Sequence, residues 1–308
     1  MNIDPESIDA LFDAIAVRKR VGHLRDKLSD PDFWRALNPH LTISDAPIAS
    51  RVDPLPFSPT EAVAHADFLQ QEGYLLAPKV FGPEDIVPLR EAVERVVALG
   101  LPPGMAWVYD EFYTLFHKVQ QVFEPMLGPS PLLLPKDFWV FHVPTGRAGR
   151  TGFGAYGPHR DYFVDRAFLD GGRPRVMNVW IPLTDVTPLD SCMYVVHPDG
   201  DEDYWTETAD VRQESFALSD IRALPAPSGS VVAFSTRTVH WGSRSSRLAT
   251  GPRVSATCVL QRRDTAPFSD PVLDLTQPLS WARRWELVMS SVGHSGLEGE
   301  RAPVSARE

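Results

Sequence analysis

The 308-residue sequence contains only two cysteines, Cys192 and Cys258, and each lies in an apolar, strand-like run. Two isolated thiols do not make a disulfide framework or a cysteine-rich zinc site, so we expect both to be buried and free. The sequence also has no long uncharged apolar stretch, and its first positions are acidic rather than basic. We therefore expect neither a membrane span nor a signal peptide, and a cytoplasmic location.

Positive charge is scarce as well, because 30 lysines and arginines stand against 40 acidic residues and give a formal net charge of −10. Nucleic acids and anionic membranes are bound through positive fields, which this composition disfavours. We therefore expect a small-molecule partner, with no nucleic acid and no membrane. The 43% of hydrophobic residues can fill a sizeable core, and the choice between monomer and homodimer stays open.

Changes in composition divide the chain into three parts. The apolar periodicity of Pro5–Leu28 predicts an amphipathic helix that Asp30-Pro31 ends. Five prolines between residues 38 and 59 predict an extended strap that serves as a linker. We therefore expect an N-terminal helix and strap over 1–57, one main domain over 58–293 and a flexible tail over 294–308.

The main domain begins with helical patterns and continues with short strands. Apolar spacing and capping residues predict helices from Ser58 or Thr60 to Gln71, Phe81 to Leu99, Asp110 to Met126 and Leu279 to Val292. Short β-branched or aromatic runs predict the strands Tyr74–Ala77, Phe138–Val143, Gly157–Phe163, Val176–Pro182, Cys192–His197, Ser230–Ser235 and Arg253–Gln261. This order indicates a mainly β fold with flanking helices, a sandwich or barrel rather than an alternating α/β fold.

A histidine and an aspartate lie two residues apart in Pro158-His159-Arg160-Asp161-Tyr162. In a strand, His159 and Asp161 would share one face, and Arg160 would point away. A second histidine from a distant strand would complete the two-His-one-carboxylate facial triad of non-haem Fe(II) enzymes. The best candidate is His240, which follows the apolar run Gly229-Ser230-Val231-Val232-Ala233-Phe234 and a short polar bend.

Each histidine taken alone is more often a surface or hydrogen-bonded core residue than a metal ligand. The interpretation as an ordinary surface or core residue is strongest for His142 and His197, which we consider only as alternative ligands. For His159 and His240 the conjunction with Asp161 and with a downstream arginine favours the metal site.

An arginine matters because iron oxygenases of this type usually oxidise 2-oxoglutarate, whose distal carboxylate suits the planar fork of a guanidinium. Three arginines follow His240 closely. Arg253 begins a strand and has Ser255 on the same face, so we favour it over Arg247, which lies with Arg244 in a serine-rich loop.

These residues together resemble a known family. The order of motifs is His159-x-Asp161, then Asn178-Val179-Trp180-Ile181-Pro182-Leu183-Thr184-Asp185, then Gly-Ser-Val-Val-Ala-Phe before His240, then Arg253-x-Ser255. This order is similar to that of the phytanoyl-CoA dioxygenase family of Fe(II)/2-oxoglutarate oxygenases, over roughly Phe68 to Leu260.

The resemblance implies a double-stranded β-helix core, the jelly-roll of cupin-like proteins. It also implies that His159, Asp161 and His240 hold Fe(II) and that Arg253 holds the distal carboxylate of 2-oxoglutarate. Trp180 and Ser255 would lie near this co-substrate. The chain departs from the family at His197-Pro198-Asp199-Gly200-Asp201, where a Pro-Gly-Ser-His turn is common, and this departure affects substrate-side contacts rather than the metal.

The expected reaction is hydroxylation of an unactivated C–H bond of a small-molecule metabolite, with O₂ and 2-oxoglutarate as co-substrates and succinate and CO₂ released. Desaturation, cyclisation and epoxidation stay open, whereas Asp161 disfavours halogenation because its carboxylate leaves no vacancy for chloride. Two other hypotheses stay open: a cupin-type iron oxygenase that does not use 2-oxoglutarate, and a non-catalytic jelly-roll binding protein.

Residues 145–157 form a segment rich in glycine and arginine that contains a literal G-x-G-x-x-G. A strand rather than a phosphate-binding helix is predicted to follow it, so a dinucleotide site is disfavoured. We expect a mobile loop before the iron ligands, in which Arg147 and Arg150 are either solvated or contact an anionic group of the substrate.

Overall fold

Five antiparallel strands form the larger of two sheets in the computed structural model, which describes residues 24–53, 58–146, 157–208, 211, 215–267 and 272–298. The strands in chain order are β1 (Tyr74–Ala77), β2 (Leu132–Val143), β3 (Val176–Pro182), β4 (Met193–Val196), β5 (Ile221–Leu224), β6 (Val231–Ser235), β7 (His240–Gly242) and β8 (Arg253–Gln261). The large sheet has the order β1-β6-β3-β8-β2, and the small sheet has the order β5-β4-β7.

The two faces of the large sheet differ in chemistry because successive strand residues point to opposite sides. On β8, Val254, Ala256, Cys258 and Leu260 belong to the main apolar core, which also contains the helices. Arg253, Ser255 and Thr257 alternate with them and therefore lie on the other face.

The small sheet lies against that other face. Trp180 of β3 and Phe234 of β6 share an apolar cluster with Met193 and Val195 of β4 and Leu224 of β5. The two antiparallel sheets therefore enclose a second, smaller core. The prediction of a mainly β fold with flanking helices is confirmed.

Helices cover the outer face of the large sheet. They are α1 (Arg25–Leu28), α2 (Pro31–Leu37), α3 (Pro59–Glu72), α4 (Pro83–Ala98), α5 (Asp110–Leu127) and α7 (Trp281–Glu298). The short helix α6 (Val164–Ala167) lies outside that core and contacts β3. Ser58 and Glu61 form a capping box at the start of α3, and Gly73 ends it with φ of 75°. Phe112, Phe116 and Phe123 of α5 are fully buried against the sheet, in the pattern expected of an amphipathic helix.

The Pro-rich strap packs closely on the main domain. Leu41, Ile43 and Ile48 are buried in the same core as the large sheet. The dipeptide Asp30-Pro31 was expected only to end a helix, but it also begins α2, because the Asp30 carboxylate accepts a hydrogen bond from the amide of Asp32 and proline suits the first helical position. Most of the predicted Pro5–Leu28 helix lies outside the described residues, and the three-part division of the chain stays a prediction.

The predicted strand Gly157–Phe163 is wrong. Its one ladder contact within the described ranges is a single bridge between His159 and His240, and after Asp161 the chain turns into the short helix α6. Strands β5 and β7, which are four and three residues long, were not predicted from the sequence. The last helix was predicted to end at Val292, whereas α7 continues to Glu298, within the predicted tail.

Among the described residues, no helix is long and apolar enough to cross a membrane.

Candidate metal centre

Two chain segments meet at the open end between the sheets, and each carries metal-ligand side chains. The amide of His159 donates to the carbonyl of His240 over 3.1 Å, and the amide of His240 donates back over 3.0 Å. The amide of Asp161 donates to the carbonyl of Thr236 over 3.0 Å. These backbone bonds, rather than a regular strand, bring the three side chains together.

His159, Asp161 and His240 form the one group of metal-ligating side chains found among the described residues. One ligand atom of each lies within 4.8 Å of the others. Nε2 of His159 is 3.6 Å from Oδ1 of Asp161, and Nε2 of His240 is 3.8 Å from Oδ2. Adjacent ligands of an ion bound at about 2.1 Å are about 3 Å apart, so small side-chain movements would close the site around a metal.

The backbone fixes which nitrogen of each imidazole faces the centre. Nδ1 of His159 donates to the carbonyl of Gly157 over 2.9 Å, and Nδ1 of His240 donates to the carbonyl of Thr238 over 3.0 Å. A carbonyl only accepts, so in both rings Nδ1 carries the proton and Nε2 is the unprotonated nitrogen. Burial lowers the pKa of His240 to about 4, so its ring is neutral at physiological pH, as metal binding requires.

The carboxylate of Asp161 is oriented by Asn178. Nδ2 of Asn178, in the middle of β3, donates to Oδ2 of Asp161 over 2.5 Å. Asn178 was not predicted as a site residue from the sequence. The available signal was a single polar residue inside the otherwise apolar run Val-Met-Asn-Val-Trp, because a buried amide requires a hydrogen-bond partner.

Arg253 is a buried cation without a carboxylate partner among the described residues. One of its guanidinium nitrogens donates to the carbonyl of Ser191 over 2.7 Å, and its Nε has no hydrogen-bond partner in the described part of the chain. The guanidinium lies 5.6 Å from the ring centroid of Phe141 and 5.9 Å from that of Trp180. Burial lowers the pKa of Arg253 to about 10, so it remains charged at neutral pH.

Further unpartnered polar atoms lie on the same face of β3 and β8 as Arg253. Within the described ranges, the Ser255 and Thr257 hydroxyls and the Trp180 indole N–H are buried without a hydrogen bond. Buried polar groups are seldom left unpaired, and an unpaired buried charge is costly. A bound carboxylate would supply acceptors for the guanidinium, the hydroxyls and the indole.

Arg253 and Asn178, the residue that binds the triad carboxylate, lie on one face of the large sheet. Asn178 and Trp180 are two positions apart on β3, so their side chains share a face and their Cα atoms are about 7 Å apart. Thr257 pairs with Trp180 in the β3–β8 register, and Arg253 lies nearer the start of β8. The Arg253 guanidinium reaches back along the strand to lie beside Trp180, and Trp180 is the neighbour of Asn178 on that face.

The other candidates lie elsewhere. Arg244 and Arg247 are exposed, and neither has an ion pair in the described part of the structure. His142 pairs with Val254 on β8, and burial lowers its pKa. His197 lies 3.8 Å from Glu72 and accepts a hydrogen bond from the amide of Asp199, outside the triad. Residues 147–156, most of the predicted Gly/Arg loop, lie outside the described residues.

A family model described as Phytanoyl-CoA dioxygenase (PhyH) matches residues 69–248. No curated protein matches the chain significantly. Among solved structures, the fold is similar to that of the epimerase SnoN in complex with Fe3+, alpha ketoglutarate and nogalamycin RO, with a TM-score of 0.51, 18% identity and coverage of 73% of this chain and 98% of SnoN. AviO1 from Streptomyces viridochromogenes Tue57 is also similar, with a TM-score of 0.50, 16% identity and coverage of 68% and 99%. These likenesses confirm the jelly-roll core.

Proposed function

The protein belongs to the phytanoyl-CoA dioxygenase family, and from this premise we propose that it is an Fe(II)/2-oxoglutarate-dependent oxygenase whose metal is held by His159, Asp161 and His240. The observation that carries the proposal is the donor set: two Nε2 lone pairs fixed by backbone carbonyls and one carboxylate, all within 4.8 Å. This set suits Fe(II) and leaves coordination positions for a bidentate 2-oxo acid and O₂.

We assign the distal carboxylate of 2-oxoglutarate to Arg253. The support is a buried guanidinium with an unpartnered Nε, beside the unpartnered hydroxyl of Ser255 and indole N–H of Trp180. A planar guanidinium can bind a carboxylate through two parallel hydrogen bonds, which an ammonium group cannot do. The ring faces of Phe141 and Trp180 keep this part of the site dry, which strengthens the ion pair.

When bound, the iron would couple the four-electron reduction of O₂ to two two-electron oxidations, that of 2-oxoglutarate to succinate and CO₂ and that of the substrate. The residues of the chain hold the metal and orient 2-oxoglutarate. The side chains of His159 and Asp161 are 37% and 29% exposed, so the centre is reachable from solvent. His240, with 11% exposure, forms the covered side.

For the outcome we propose hydroxylation of a C–H bond in a small molecule. The carboxylate of Asp161 occupies the third protein position, which disfavours halogenation. SnoN, a protein of similar fold, is described as an epimerase in complex with nogalamycin RO. The complex supports a small-molecule substrate here. Because SnoN is an epimerase, the reaction type of this protein has to be measured. The site accounts equally for desaturation, cyclisation and epoxidation.

The decisive experiment is an anaerobic titration of the protein with Fe(II) and 2-oxoglutarate, followed through the weak visible charge-transfer band of the chelate. We expect the band in the wild type and in the control His142→Ala, and its loss in His159→Ala and Asp161→Ala. Admission of O₂ should then release succinate. Absence of the band from the wild type would contradict the proposal, whereas O₂ consumption that is unaffected by Arg253→Ala would favour a 2-oxoglutarate-independent enzyme.

A further inference from the structure

A buried ion pair connects the residue between two of the triad side chains to a distant segment. Arg160 lies between His159 and Asp161, and its terminal nitrogen donates to both carboxylate oxygens of Asp201 over 2.5 and 2.6 Å. The two side chains are 0% and 1% exposed. An ion pair this deep is unusual, because removing both charges from water costs several kcal/mol.

A second buried arginine binds the same segment from the other side of the triad. Arg237 lies three residues before His240 and next to Thr236, whose carbonyl accepts the amide of Asp161. Its guanidinium donates to the carbonyls of four residues at distances of 2.5 to 2.9 Å, namely Asp203, Tyr204, Thr206 and Thr208. Arg237 is fully buried, and burial together with the nearby Arg160 lowers its pKa.

Residues 201–208, here called the clamp segment, therefore contact both ligand-bearing stretches of chain. Asp201 and Asp203 lie near the two guanidiniums and offset their charge. The stretches at 159–161 and 236–240 are themselves joined by a few backbone hydrogen bonds, without a continuous ladder in the described part of the chain. The contacts of Arg160 and Arg237 with the clamp segment are therefore a second connection between the two stretches.

We propose that the clamp segment is a positioning element of the metal centre, in which Arg160 and Arg237 set the distance from His159 and Asp161 to His240. The inference rests on the proposed metal site. Neither arginine touches the metal position, so both act through the backbone that carries the ligands. Partners outside the ligand sphere typically change metal affinity by about 10- to 100-fold when removed.

The alternative is that the clamp segment stabilises the fold and has no effect on the metal. A matched control is available in Asp110, at the start of α5, which binds Arg284 over 2.5 Å and Arg51 over 2.6 Å. The Asp110 and Arg284 side chains are 3% and 0% exposed, so this pair is as deeply buried as Arg160–Asp201. Arg284 contacts the N-terminal strap and the carbonyl of Val108 just before α5, rather than the triad.

The test compares Asp201→Asn with Asp110→Asn in the full-length protein, with Co(II) alone as the probe. The measurements are the Co(II) dissociation constant, the visible Co(II) absorption spectrum and the melting temperature of the metal-free protein. Both substitutions should lower the melting temperature, because each leaves a buried guanidinium uncompensated. Only Asp201→Asn should weaken Co(II) binding, by about tenfold or more, and alter the spectrum. Asp201→Glu should retain part of the wild-type Co(II) affinity and part of the wild-type spectrum.

Wild-type affinity and spectrum in Asp201→Asn would overturn the clamp proposal. Equal loss of Co(II) binding in both variants would also overturn it, since the effect would then follow stability. If Asp201→Asn does not fold, Arg237→Lys is measured by the same criteria, because lysine keeps the charge and loses most of the carbonyl contacts. Failure of the wild type to bind Co(II) would instead contradict the proposed function.

Discussion

Asn178 donates a hydrogen bond of 2.5 Å to Oδ2 of Asp161, across the 17 residues that separate them in the chain. With one oxygen engaged, the carboxylate cannot rotate freely, and Oδ1 stays 3.6 Å from Nε2 of His159. The strand that carries Asn178 lies between β6 and β8 in the large sheet, which makes it a rigid support. The metal centre is therefore tied to the most central part of the fold.

Replacement of Asn178 by alanine should weaken metal binding about 10- to 100-fold, because the carboxylate loses the donor that orients it. The measurement is a Mn(II) titration followed by the electron paramagnetic resonance signal of the free ion. Asn38→Ala is a suitable control, since Asn38 is also buried and bonded to Tyr109 and Arg95 but lies in the N-terminal part. Equal Mn(II) affinities of the two variants would contradict the role given to Asn178.

Arg253→Lys should raise the KM for 2-oxoglutarate strongly and change kcat much less. A charge-assisted hydrogen bond contributes about 1.5 to 3 kcal/mol, so the loss of the bidentate geometry predicts a rise of about 10- to 100-fold. The measurement is succinate release at varied 2-oxoglutarate concentration. Arg262→Lys is the control, because Arg262 pairs with the exposed Asp264. A rise in KM on substitution of Arg247 instead would revive the alternative considered from the sequence.

Much of this fold could be predicted because its signals are local. The bounds of β1, β3 and β8 agree with those expected from their apolar runs, and α5 differs by one residue. The segment at 157–163 was predicted wrongly because a two-residue spacing such as that of His159 and Asp161 also occurs in loops. There the structure depends on hydrogen bonds to residues near 236 and 240, which no local pattern contains.

The candidate site, like the fold, could be predicted where its signals are local. Motif spacing was sufficient to select His159, Asp161, His240 and Arg253, although their proposed roles await experiment. The contributions of Asn178 and Arg160 depend on partners that lie 17 and 41 residues away in the chain. Such pairs follow from strand register and loop path, which are tertiary properties. Asn178 leaves a trace in the sequence as a polar residue inside an apolar run, whereas Arg160 lies among polar residues and leaves no such trace.

Gly229→Ala should destabilise the metal-free protein by about 2 kcal/mol or more, measured by urea denaturation. Gly229 has φ of 77°, and an added Cβ would collide with the backbone oxygen of Phe81, which cannot move away easily. The amide of Phe81 also donates to the Gly229 carbonyl, so the two backbones are held together. Gly251→Ala is the control, because a Cβ added there meets no described atom within 4 Å, and it should change stability by less than about 1 kcal/mol.

The two cysteines should react very slowly with Ellman's reagent in the native protein and completely after denaturation. Both thiols are free and fully buried, and burial raises the pKa of Cys192 to about 11. The thiolate is the reactive form, so at pH 8 only about a thousandth of a thiol with that pKa is ionised, and access of the reagent lowers the rate further. The single variants Cys192→Ala and Cys258→Ala would show which cysteine gives each phase of the reaction with Ellman's reagent. Fast modification of Cys192 in the native state would mean that β4 opens locally, and with it the adjacent Ser191 carbonyl that holds Arg253.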